Sequence, residues 1–138
     1  MLLDTHTWIW FAADVPRRLG PKTRRQLEKA RPPRAPFVST ASIFEIVALH
    51  AAGRLQFTLP VERWIRDSID RAGFRVIDIE AGIAVDAGLV TRAALADPID
   101  RLLVATAREY QVALVTCDRQ ILDYAERTGL VRVVDGSV

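Results

Sequence analysis

Apolar side chains recur in this sequence with two rhythms. Spaced every three or four residues they mark amphipathic helices, and gathered in short runs bounded by turn residues they mark buried strands. Met1–Asp4 is a short run that ends on a carboxylate. Thr5–Ala13 reads as helix, with Trp8, Ile9 and Phe11 or Ala12 turned inward. Pro21 opens a mostly polar helix over Lys22–Ala30, which the RPPRAP segment stops. Phe37–Ser39 is the next strand, and the strongly apolar Thr40–Ala52 is a helix closed by Gly53 as its C-cap residue. Val61–Ala72 sets Val61, Trp64, Ile65, Ile69 and Ala72 at helical spacing. Phe74–Ile79 alternates as a strand, and Glu80–Arg92 returns to helix. Pro98 then begins a helix to about Tyr110, followed by strand Val112–Thr116, helix Arg119–Thr128 and strand Val131–Val134.

Strands that alternate with helices predict an α/β fold, with a central, mainly parallel sheet of four to five strands between helical layers. A chain of 138 residues suits one domain, 1–138, with a substantial core. No apolar run approaches the ~20 residues of a membrane span. The opening MLLDTHTWIWFAA lacks a basic start and is broken by Asp4 and His6, so it does not read as a signal peptide. With 50% hydrophobic and 26% charged residues, the composition excludes a disordered tail. The single cysteine, Cys117, excludes a disulfide framework or thiolate zinc cluster and points to a reducing cytoplasm.

The net charge of +2 conceals an asymmetry. Residues 1–36 carry eight basic and three acidic side chains, hence +5, and the remainder carries eleven basic and fourteen acidic ones, hence −3. Nearly all the basic residues are arginine, a side chain suited to bidentate phosphate contacts. A basic segment ahead of an acid-rich body fits a polyanionic partner, and equally a solvated helix face.

Four carboxylates stand out by position. Asp4 ends the first strand, Glu45 is the one charge in an apolar helix, Asp100 lies in the first turn after Pro98, and Asp118 follows the strand ending at Thr116. Each falls near the carboxyl end of a strand or in the early turns of a helix, the edge where open α/β sheets bind ligands. Two carboxylates ~6 Å apart at an effective dielectric of 20 repel by about 3 kcal/mol. A convergent set therefore demands protonation, arginine partners or divalent cations. Taken singly, each has a structural role open to it. Asp4 suits an N-cap, Glu45 suits a capping box with Ser42, and Asp97 before Pro98 suits an N-cap. Asp100 suits the positive end of a helix dipole, and Asp118 a turn.

Arg101 sits against the dipole at a helix start, where it fits a substrate phosphate, a partner for Asp97 and Asp100, or a surface ion pair. Thr116 fits a metal-bound water or an ordinary strand position. His6 and His50 share no ligand spacing and read as structural. Trp8, Trp10 and Trp64 read as core or dimer contacts, and Cys117 as a small buried side chain.

The segments LLDTHTWIW, STASIFEIVALHAAGRL, DPIDRLLVATA and LVTCDRQILDY occur in that order and span Leu2 to Tyr124. Together they resemble a PIN domain of the VapC toxin type. The resemblance implies a three-layer α/β/α fold and a Mg²⁺- or Mn²⁺-dependent endoribonuclease leaving 5′-phosphate and 3′-hydroxyl ends. It also implies a homodimer and a VapB-type antitoxin partner whose arginine blocks the acidic site. Matched residue by residue, Asp4, Glu45, Asp100 and Asp118 are the implied metal ligands and catalytic acids, Asp97 and Thr116 supporting residues, and Arg101 a substrate contact. Many relatives carry a basic residue where Leu49 stands and a histidine where Leu95 stands, which bears on substrate choice rather than on the four acids. An RNA-processing PIN nuclease and a non-cleaving RNA- or partner-binding scaffold remain alternatives. A haloacid-dehalogenase-like phosphatase fits poorly, because the position two after Asp4 is His6. A receiver domain fits poorly because it needs a late lysine, and the only lysines are Lys22 and Lys29.

Overall fold

The structure is a computed structural model that describes residues 1–138. Its elements run β1 (Leu2–Leu3), α1 (Thr5–Ala12), α2 (Pro21–Lys29), β2 (Phe37–Ser39), α3 (Thr40–Ala51), α4 (Val61–Ala72), β3 (Arg75–Ile77), α5 (Ala81–Leu89), α6 (Pro98–Glu109), β4 (Leu114–Thr116), α7 (Arg119–Thr128) and β5 (Val133–Asp135). The five strands form one sheet in the order β3-β2-β1-β4-β5, and every neighbouring pair is parallel. The three-layer α/β/α architecture expected from the alternation is what the chain adopts.

Strand pleating divides the core. Leu2 and Leu114 point to the layer holding Leu103, Val104 and Ala107 of α6 and Ile121, Tyr124 and Ala125 of α7. Their neighbours Leu3 and Val115 point the other way, onto Trp8, Ile9, Leu27, Ile46 and Ile65 of α1 to α4. A smaller cluster of Ile77, Ile83, Ala87 and Ala105 seats α5 against α6 beside β3. Both faces of the central strands β1 and β4 are thus covered, which is why they are short apolar runs, whereas the edge strand β3 exposes Arg75 and Val76. None of the helices is long and apolar enough to cross a membrane.

Some boundaries differ from the sequence reading. The helix expected over Glu80–Arg92 stops at Leu89, because Val90 turns back into the core and Thr91 Oγ1 accepts from the Ala94 amide instead. The strand expected over Val131–Val134 pairs as Val133–Asp135, because Val131 is drawn into the α6–α7 core. The Phe74–Ile79 strand pairs over three residues only, Phe74 being buried among the aromatic side chains below the sheet. Gly53 does stand just past the last turn of α3, with φ +74 in the left-handed region that favours glycine.

The order of the strands places the site. The chain moves outward from β1 through β2 to β3, then returns across β1 to β4 and β5. Direction reverses between β1 and β4, so the loops leaving their carboxyl ends diverge and open a crevice. Asp4 and Asp118 are the residues at that opening.

Candidate functional site

The crevice has a volume of about 290 Å³ and is lined by Asp4, Glu45, Asp97, Asp100 and Asp118, together with Thr5, His6, Trp10, Leu103 and Cys117. It therefore brings together all four acids expected from their positions, with Asp97 among them. Thr116 and Arg101 are not on the wall.

Local structure explains how the acids are held. Asp4 is the N-cap of α1, with Oδ1 accepting from the Thr7 amide at 2.7 Å. Its other oxygen, Oδ2, accepts from the fully buried Thr116 hydroxyl, which in turn accepts from the Asp118 amide at 3.0 Å. Asp97 caps α6, accepting from the amides of Ile99 at 2.7 Å and Asp100 at 3.4 Å. Asp118 caps α7 through the Gln120 amide at 2.8 Å. Capping and site membership are thus not rival roles, since one oxygen of a carboxylate can hold the helix while the group faces the cleft. Glu45 differs. Its helix starts at Thr40 with Ser39 as N-cap, and Ser42 accepts from Thr5 Oγ1, so the capping box with Ser42 does not form. That leaves Glu45 projecting from the second turn of α3 into the cleft.

The rim is electrostatically uncompensated. None of the five acids takes part in an ion pair. Burial pushes the Asp4 carboxyl above the ordinary carboxylate range, against the pull of its bonds from Thr116 and Thr7. Glu45 is raised chiefly by burial and also by the charge of Asp97, while the nearby Thr5 hydroxyl pulls it down. Asp100 is pushed up to about 8, first by burial and then by Asp97, Asp118, Glu45 and Asp4. One group is thus perturbed by every other member of the cluster, the mark of acids crowded around a shared space.

Arg101 does not relieve them. Its Nη2 reaches the Ala96 carbonyl at 3.5 Å, its Nε is buried without a partner, and it makes no ion pair. The expected surface ion pair and the balancing of Asp97 and Asp100 are therefore both absent. The guanidinium is turned back along its own helix start rather than toward the carboxylates.

The five acids offer only oxygen donors, which suit a hard cation such as Mg²⁺ or Mn²⁺. No three or more His, Cys, Asp or Glu side chains are gathered at ligand spacing. Mg²⁺ asks for less than that, since it commonly takes one or two carboxylates, substrate phosphate oxygens and several waters. Free oxygens on Asp97, Asp118, Asp100 and Glu45 meet this requirement. Covalent catalysis by the neighbouring cysteine does not fit. Burial, with Asp4 and Asp135 nearby, pushes the Cys117 thiol up to about 11, so it stays protonated at neutral pH.

Two wall residues escaped the sequence reading. His6 and Trp10, four apart on α1, share the helix face that looks into the cleft, with ring centroids 5.5 Å apart. Trp8 and Trp64 do lie in or against the core, but Trp10 both packs on the core and borders the crevice, and Cys117 is half-buried at its edge. The signal was the spacing from Asp4, which sets both rings on one face of the helix that Asp4 caps.

Comparison with known proteins agrees with this fold. The family model for the PIN domain matches residues 1–127. Ribonuclease VapC22 of Mycobacterium tuberculosis is 32% identical over 121 residues, covering 88% of each chain. Among solved structures, VapBC2 of Rickettsia felis bound to a promoter DNA fragment superposes with TM-score 0.68 at 15% identity, over 96% of both chains. DNA-bound VapBC of Salmonella typhimurium gives 0.65 at 21% identity, covering 96% of this chain and 95% of that one.

Proposed function

The chain belongs to the PIN-domain family, and from that premise we propose that it is a metal-dependent endoribonuclease acting as the toxin of a toxin–antitoxin pair. The observation that carries the reading is the acid rim itself: five carboxylates around one crevice with no basic partner. Such a rim favours cations strongly, and an RNA phosphate can approach it only alongside them. A relative sharing a third of its residues, over nearly the same length, is named a ribonuclease, which supports RNA as the substrate.

The reaction is hydrolysis of a phosphodiester. Water attacks phosphorus, the bond to the 3′ oxygen breaks, and the ends are a 5′-phosphate and a 3′-hydroxyl. Asp4, Glu45, Asp100 and Asp118, with Asp97 in support, would hold Mg²⁺ or Mn²⁺, which when bound lowers the pKa of water and neutralises charge building on the phosphoryl oxygens. The chain's own groups prepare that step. Thr7 and Thr116 fix both oxygens of Asp4, so it presents one orientation without rotamer loss. The Asp118 amide, donating to the same Thr116 hydroxyl, ties the second aspartate to the first. Asp100, protonated near neutrality in the free protein, releases its proton as the rim is loaded. Arg101, in the first turn of α6 next to Asp100, is assigned to a substrate phosphate.

The VapBC complexes among the structural matches support a VapB-type antitoxin as partner, in which an arginine satisfying the free carboxylates would block the rim by charge-assisted hydrogen bonds. A homodimer is the assembly expected of the toxin. The test is cleavage of mixed transfer, ribosomal and messenger RNA in Mg²⁺ or Mn²⁺. The wild-type protein should cut and chelator should stop it, while normal cutting by Asp4→Asn or Asp118→Asn protein would overturn the reading.

A further inference from the structure

The lining of the crevice is not all acidic, for α1 lends it two aromatic side chains. There the α1 residues His6 and Trp10 form an aromatic face, and the Arg18 guanidinium lies over the Trp10 ring, 5.4 Å from its centroid. The position of Arg18 is built into the loop between α1 and α2. Asp14 and Arg17 both hold positive φ, +50 and +63, a conformation that costs a non-glycine residue about 1 kcal/mol or more. The loop is clamped in return. Arg24 Nη1 donates to Asp14 Oδ1 at 2.6 Å, the Val15 amide donates to the Trp10 carbonyl at 2.9 Å, and Leu19 is buried in the core. Beyond Arg18 the Cys117 thiol approaches the Arg18 carbonyl at 3.9 Å, joining the loop to the same rim that bears Asp118.

We propose that His6, Trp10 and Arg18 form the subsite for the nucleotide next to the scissile phosphate, with the base stacked on Trp10 and Arg18 taking the neighbouring phosphate. The inference rests on the ribonuclease reading of the acid rim. An aromatic plane beside a fixed arginine is the chemistry that single-stranded RNA offers partners for, because every base has a π face and every linkage a negative charge. Duplex RNA keeps its bases stacked inside and cannot use the plane. The loop fixes the Arg18 backbone, while its exposed guanidinium makes no hydrogen bond or ion pair and is free to leave the Trp10 ring for the phosphate. The subsite also explains how a polyanion is drawn to an acid-lined crevice: its first contact is with the exposed, cationic Arg18 and the aromatic side chains beside it.

The test uses full-length protein and a pool of randomised single-stranded RNA 12-mers, measuring cleavage in Mg²⁺ and binding in Ca²⁺ across a salt series. Arg18→Gln should raise KM about five-fold with kcat within two-fold. It should also flatten the slope of log affinity against log salt by about 0.7, the loss of one phosphate contact. Trp10→Leu should weaken binding about ten-fold, and Trp10→Phe should restore it to within three-fold. Because Trp10 also packs on the core, His6→Ala, which is exposed, serves as the second variant and should weaken binding about three-fold. Wild-type protein that cleaves while all these variants keep its KM and salt slope would overturn the subsite and leave the nuclease reading intact. Binding that depends on the wall without any cleavage in Mg²⁺ or Mn²⁺ would overturn the nuclease reading and support the wall as an RNA contact. An equal preference for a 12-bp RNA duplex would overturn the stacking role.

Discussion

Thr116 at the end of β4 donates its hydroxyl to Asp4 Oδ2 at the end of β1. Its oxygen simultaneously accepts from the Asp118 amide. One buried hydroxyl therefore sets the spacing between two acids that lie 114 positions apart in the sequence.

Replacing Thr116 with valine keeps the shape of the strand and removes that link. Asp4 Oδ2 loses a partner in a buried setting, at a cost of about 1–3 kcal/mol, and the part-buried Asp118 amide loses its acceptor. The lost bond also lets burial raise the Asp4 carboxyl further. We expect a lower urea midpoint, and an acid limb of the pH–rate profile displaced to higher pH. Thr116→Ser should restore the limb, whereas a limb unmoved in Thr116→Val would sink the role.

Asp100 should trade stability against activity. Its carboxyl ionises at an ordinary value of 3.8 when unfolded and at about 8 when folded. Below pH 4 both states hold the proton and the residue is neutral in the balance. Between pH 4 and 8 the unfolded chain has lost it and the native state keeps it, so stability falls as pH rises. Above pH 8 the penalty is complete. Because Asp100 is only half-buried, solvent screening discounts it to about 1–2 kcal/mol. In chelator, Asp100→Asn should melt higher than wild type, with a gap that widens from pH 5 to 8. The same variant should be inactive on RNA.

Loading the rim with a divalent cation should release protons. Calorimetric titration with Mn²⁺ at pH 7, in buffers of different ionisation enthalpy, should show close to one proton lost per protein, chiefly from Asp100. Raising the pH from 6 to 8 should tighten binding. Heat that is independent of the buffer would contradict the assignment.

A fourth expectation concerns stability alone. The Trp8 indole Nε1 donates to Ser68 Oγ at 3.0 Å, and Ser68 in turn donates to the Ile65 carbonyl at 2.9 Å, all of it buried between α1 and α4. Ser68→Ala strands the indole N–H and should cost about 1–3 kcal/mol in denaturant unfolding. The cleavage rate at 25 °C should not change, since Ser68 is remote from the acid rim.

The sequence rhythm located the helices and strands because both sheet faces are covered, which leaves the strands as apolar runs and the helices as amphipathic stripes. It also located the acids, since Asp4 and Asp118 sit where strands end and helices begin and Asp97 stands just before the helix that Pro98 opens, positions that are visible in local chemistry. Boundaries that depend on distant packing were less visible: Val90 and Val131 turn inward toward residues far away in the sequence. The aromatic wall was the least visible part. Trp10 looks like any apolar helix residue until a clamped loop with two left-handed residues brings Arg18 over it. Arg101 misled for the opposite reason, since its proximity to Asp97 and Asp100 in sequence says nothing of the direction its side chain takes.

The strand order has a consequence during synthesis. Asp4 directly follows β1, but its neighbour β4 and the cap residue Asp118 leave the ribosome more than a hundred residues later. Until then β1 has only β2 beside it, and the Thr116 hydroxyl that orients Asp4 does not yet exist in the nascent chain. The acid rim thus stays incomplete in the nascent chain until most of the domain has been translated. Parallel pairing across so long a separation is also slow to form. On the proposed nuclease reading, cleavage would wait for β4 to pair with β1.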